Sequence, residues 1–94
     1  MIKIQLDPIR FLGPKDETNF FSWLESILSF TRFEGEGKKM YAFFDADALT
    51  PYAFLELIRL FTRYKIDRKR LISVLNIFPE EIKQKYLNEG TEWH

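Results

Sequence analysis

The segment from Lys38 to Phe61, KKMYAFFDADALTPYAFLELIRLF, narrows the folds open to this chain more than any other. Met40 to Phe44 is a short, aromatic-rich apolar run with lysines before it and aspartates after it, and it reads as a buried strand. The run stops at Asp45 and Asp47. Thr50 then offers a helix N-cap, and Pro51 suits the first helical position. Beyond it, Phe54, Leu57, Ile58 and Phe61 recur at helical spacing, broadened by Leu55, Leu60 and Tyr64, while Glu56, Arg59 and Arg63 mark the wet side. A strand that feeds an amphipathic helix through an acidic turn points to a fold mixing sheet and helix, with the turn at the carboxyl end of the strand.

The remaining sequence fits around that unit. Ile2, Ile4 and Leu6 alternate with Lys3 and Gln5, the pattern of a strand with one wet face. Asp7-Pro8 ends it, and residues 9–12 either form a further strand or fold back as a flap. A first helix is expected from about Asp16, its cap, to about Phe33. Phe20, Leu24, Ile27, Leu28 and Thr31 lie along one stripe, and Trp23, Phe30 and Phe33 widen it. Gly35-Glu36-Gly37 turns the chain into the Met40–Phe44 strand. Strand, helix, strand favours a parallel pair joined by a right-handed crossover. After the second helix, Asp67 caps a third with Leu71, Val74, Leu75 and Phe78 inward. Pro79 opens a fourth, with Ile82, Tyr86 and Leu87 facing the core and Gly90 ending it. The expectation is one α+β domain over residues 1–94: a small sheet containing a βαβ unit, with strands near 1–6 and 39–44, then a helical C-terminal half. Two visible strands make a poor sheet with two open edges, so self-association is expected on topology alone.

Composition sets limits on function. The chain is 46% hydrophobic, with ten Phe, four Tyr and two Trp, so it can build a core without staples. It has no cysteine, which excludes disulfides and thiolate metal sites. Neither a signal peptide nor a membrane span is read from it, and a cytoplasmic location is expected. Fourteen basic and fourteen acidic residues balance, so whole-molecule charge does not favour nucleic acid.

Two local clusters remain. Asp45-Ala46-Asp47, after an apolar strand and before Leu49 and Thr50, resembles the first motif of the haloacid dehalogenase-like phosphotransferases. That resemblance implies a carboxylate nucleophile and a bound divalent cation at Asp45 and Asp47. It spans about ten residues; Ala48 replaces the usual glycine, and Leu49-Thr50 inverts the usual order. The residues themselves read as a solvated, helix-capping turn or as an acidic contact surface. The second cluster places six basic residues, Arg59, Arg63, Lys65, Arg68, Lys69 and Arg70, among twelve. Their position between two expected helices suits a helix–turn–helix contact with phosphates. His94 is the only histidine, and the serines of the expected helices have no local base, so no hydrolytic site is assembled. Trp93 reads as a latch on the core.

No enzyme and no cofactor is expected. The leading expectation is a non-enzymatic protein-binding module. It would be either homo-oligomeric or a small cytosolic inhibitor of the immunity or antitoxin kind, meeting its partner through Asp45, Asp47 and Tyr52. The alternative is a nucleic-acid-binding regulator that uses Arg63, Lys65, Arg68, Lys69 and Arg70 within the segment 59–70.

Overall fold

The structure is a computed structural model that describes residues 1–88, the side chains of residues 87 and 88 excepted. The expectations for Leu87, Gly90, Trp93 and His94 lie outside the described residues. In chain order the elements are β1 (Ile2–Gln5), α1 (Pro14–Ser26), β2 (Phe30–Glu36), β3 (Lys39–Phe44), α2 (Pro51–Arg63), α3 (Ile72–Leu75) and α4 (Glu80–Asn88). The fold is α+β, with both expected strands in one sheet and a helical C-terminal half.

The sheet has three strands in the order β1-β3-β2, and both pairings are antiparallel. The expected parallel pairing of the first strand with Met40–Phe44 is therefore corrected. The crossover through α1 instead joins β1 to β2, which run the same way with β3 inserted between them. The cause is a strand that the helical stripe concealed. Helix α1 stops at Ser26 and Ile27 leaves it with extended backbone (φ −71°, ψ 122°). Residues 30–36 pair with β3 and give its second edge a ladder, satisfying backbone groups that a two-stranded sheet leaves open. A two-residue loop closes the hairpin, with Gly37 at φ +63°, a conformation glycine adopts without steric cost. A register shift between Phe30 and Arg32 makes a bulge at Thr31.

One face of the sheet lies on the helices. Ile4, Leu6, Ala42 and Phe44 point inward against Phe20 and Leu24 of α1 and against Phe54, Leu57, Leu60 and Phe61 of α2, all buried. Strand β3 is thus central but buried on one face only: Ala42 and Phe44 point inward, while Tyr41 and Phe43 alternate outward and are half-buried. The expectation of an uninterrupted buried run is corrected accordingly. Helix α2 carries the cap the sequence announces, with the Thr50 hydroxyl accepting from the Ala53 N–H at 3.1 Å. Residues 9–12 form no strand. Phe11 folds back over Phe20 and Phe21, with ring centroids 5.5 and 6.1 Å away. Leu71, Val74 and Leu75 are buried as expected, although the third helix is a 3-10 turn (Arg68–Leu71) running into the four residues of α3.

Candidate functional site

Topology collects the acidic cluster at one end of the fold, where α1 stops, β3 ends and α2 begins. The Asp45 carboxylate accepts from the Asp47 N–H at 3.0 Å and so caps a 3-10 turn over Ala46–Ala48. The Asp45 N–H donates to the Ser29 carbonyl at 2.8 Å, which fastens this turn to the α1–β2 connection. Both aspartates are exposed, and Tyr52 in the first turn of α2 is 72% exposed. Leu28, next to Ser29 in the chain, is 67% exposed and belongs to the same end. The two carboxylates and the tyrosine of the sequence reading are therefore all exposed around the start of α2, and the Asp45–Ser29 bond brings Leu28 to the same end. Among the described residues, no group of three or more His, Cys, Asp or Glu side chains is placed to hold a metal ion.

Ser29 holds this end together under strain. Its φ is +101°, outside the range L-residues favour, and its buried hydroxyl has no hydrogen-bond partner among the described residues. Its carbonyl, by contrast, is used by Asp45 and by the Thr31 hydroxyl at 3.4 Å.

The basic cluster is dispersed. Arg59 pairs with Glu56 at 2.9 Å, and Glu56 also accepts from the Trp23 indole N–H at 3.0 Å. Trp23 is thereby tied to α2. Arg70 turns inward: its Nη1 donates to the Gln5 carbonyl at 3.0 Å and to the Asp7 carbonyl. Arg68 and Lys69 stay on the 3-10 turn that Asp67 caps through the Lys69 N–H, and the four-residue helix beyond is too short to act as a recognition helix. Arg63 and Lys65 go elsewhere. Together with Arg10, Asp16, Pro8, Ile9 and Leu12 they line a groove of about 550 Å³ beside Tyr64. Burial raises the pKa of Tyr64, and its hydroxyl donates to the Asp16 carbonyl at 3.3 Å. Lys65 takes φ +56° where a helix C-terminus usually places glycine.

Asp7 is the other strongly engaged acid. It accepts from the Met40 N–H at 2.6 Å and from the Gln5 amide at 3.0 Å. These hydrogen bonds, the Met40 one foremost and with help from the Arg70 charge, hold its pKa below the ordinary 3.8 against the opposing effect of burial.

A fourth surface was not singled out from sequence. The outer face of the sheet carries Tyr41 and Phe43 on the central strand with Lys3 and Arg32 on the strands beside it. The Lys3 ammonium lies 4.2 Å from the Tyr41 ring centroid, and the Arg32 guanidinium 4.2 Å from that of Phe43. The aromatic run hid this face, because outward and inward positions of β3 are equally apolar in type. The chain matches no protein-family model, no curated protein and no solved structure.

Proposed function

We propose that this chain is a non-enzymatic, cytoplasmic protein-binding module whose contact surface is the end of the fold bearing Asp45, Asp47 and Tyr52. The observation that supports this reading is the exposure of two large apolar side chains, Tyr52 at 72% and Leu28 at 67%, at the same end as two exposed carboxylates. Exposed apolar groups with charge around them suit a protein interface, and carboxylates select a basic partner and speed its approach. A small inhibitor of the immunity or antitoxin kind works in this way. A homo-oligomer is the other form of the proposal, through this end or through the open edge of β2.

The test starts from light scattering across a dilution series, which separates self-association from a heterologous partner. A protein captured by the intact chain is then titrated against Asp45→Lys with Asp47→Lys and against Tyr52→Ala. Both variants should lose most of the binding while melting close to the parent, since Asp45→Lys removes one cap worth about 1 kcal/mol. Undiminished binding by both variants would refute the assignment.

A second reading has one observation behind it, the meeting of Arg10, Arg63 and Lys65 around one groove. Three cations against one carboxylate, that of Asp16, leave the groove positive and suit a polyanion. Arg63→Glu with Lys65→Glu is the matching test, and it spares Arg70, whose contacts to β1 make it a poor probe of binding.

A further inference from the structure

We infer that the outer face of the sheet binds single-stranded nucleic acid, with Tyr41 and Phe43 stacking on bases and Lys3, Arg32 and Lys39 taking phosphates. This goes beyond the acidic-end reading and uses a different surface. The register sets the arrangement: Lys3 stands opposite Phe43, Gln5 and Glu34 flank Tyr41, and Arg32 stands opposite Phe43 on the other side. Two aromatic residues at i and i+2 on a central strand present rings about 7 Å apart on one face. Two neighbouring bases of an extended strand can occupy such a pair once they are unstacked from each other.

Stacking on an aromatic ring is indifferent to base identity, because every base has a π-face, and cations nearby supply attraction for the backbone. Both ingredients are present. The face and its hairpin end carry Lys3, Arg32, Lys38 and Lys39 against Glu34 and Glu36, an excess of two positive charges. On a neutral protein that excess is local, and it surrounds the only outward aromatic pair of the sheet among the described residues.

The cations now lie over the rings a base would cover, and they are also paired. Lys3 is 3.5 Å from Glu36, and Arg32 is 3.1 Å from Glu34. These side chains are about half exposed, at 44% for Lys3 and 49% for Arg32, and exposed ion pairs contribute little. Swinging them from ring to phosphate gives up these weak pairs and cation–π contacts of about 0.5–1 kcal/mol each, and uncovers the rings. A duplex is a poor occupant. Its bases are stacked inside, and a three-stranded face is too broad to enter a groove that admits a helix or a two-stranded ribbon. An acidic peptide would engage the cations but leave the two ring faces without planar partners.

The experiment is a fluorescence-anisotropy titration of the full chain with labelled mixed-sequence RNA and DNA decamers and with the corresponding DNA duplex, at low and near-physiological salt. Both single strands, or RNA alone if the 2′-hydroxyl is also read, should bind more tightly than the duplex. Tyr41→Leu with Phe43→Leu keeps the strand apolar and should weaken binding roughly five- to hundredfold per ring. Lys3→Ala with Arg32→Ala, both on exposed side chains, should weaken binding and lower the salt dependence, whose parent log–log slope is about −2 for three phosphate contacts. Thermal melts establish that each variant is folded. The inference is overturned by absence of binding to either single strand at low salt or by duplex binding as tight as single-strand binding. It is equally overturned if the leucine pair binds as the parent does while Arg63→Glu with Lys65→Glu abolishes binding.

Discussion

Replacing Ser29 by glycine should stabilise the protein. At φ +101° a residue with a Cβ carries a strain of about 1–2 kcal/mol that glycine does not. The serine hydroxyl, buried without a partner among the described residues, adds a desolvation penalty of about 1–3 kcal/mol that the substitution also removes. Against these gains, glycine widens the unfolded ensemble at a cost of about 0.4–1 kcal/mol. The bonds made by the Ser29 carbonyl to Asp45 and Thr31 belong to the backbone and survive. The net gain is about 3 kcal/mol, which at this chain length raises the melting midpoint by about 15 °C. Ser29→Ala separates the two causes, because it deletes the hydroxyl and keeps the strain. Urea unfolding of the three proteins should therefore rank glycine above alanine above serine. A glycine variant no more stable than the parent, or an alanine variant equal to the glycine one, would show that the backbone at Ser29 is not strained.

Other expectations concern the sheet and its fastening. Phe44→Ala, at a fully buried position, should cost about 3–5 kcal/mol, and Phe43→Ala on the outer face less than half as much, as read from denaturant midpoints. Arg70→Met leaves the Gln5 and Asp7 carbonyls without their charged donor and should cost about 3 kcal/mol in the same assay; a loss under about 1 kcal/mol would mean the contacts are incidental. Asp7 has a lowered pKa, so its contribution is complete above its unfolded value near 3.8 and is lost as pH falls through the lower folded value. The stability gap between the parent and Asp7→Asn should accordingly close as acid is added below about pH 4, and a gap unchanged between pH 6 and pH 2 would contradict it.

The parts of the fold read correctly from sequence are those where one signal acts alone. Thr50-Pro51 caps α2, Asp67 caps the following turn and Pro79 precedes α4, each by short-range chemistry that tertiary contacts do not oppose. Residues 27–33 failed because two signals compete there. Ile27, Leu28 and Thr31 continue the helical stripe of α1, yet Phe30 and Phe33 also suit the inner face of a strand opposite Phe44 and Ala42. The long-range partner decides, and a local window cannot see it. Gly37 before Lys38 was the usable clue, since a glycine-led pair suits a two-residue hairpin and implies a strand on each side. The capped, exposed turn at Asp45 and Asp47 was legible because its residues are close in sequence. The groove joining Arg10 to Arg63 and Lys65, and the face joining Lys3 to Tyr41, Phe43 and Arg32, were not, because each is assembled from distant segments.

The insertion of β3 between β1 and β2 gives the chain an order of events at the ribosome. β1 is made first, but its partner follows much later: Asp7 and Met40, joined by a hydrogen bond in the finished protein, are 33 residues apart. At ordinary elongation rates, that separation is about two to seven seconds of synthesis. The hairpin of β2 and β3, closed by a two-residue loop, can zip locally in microseconds as soon as it emerges. Ile2, Ile4 and Leu6 therefore wait with their backbone unpaired until a ready-made edge appears, and the Arg70 bonds to Gln5 and Asp7 come later still.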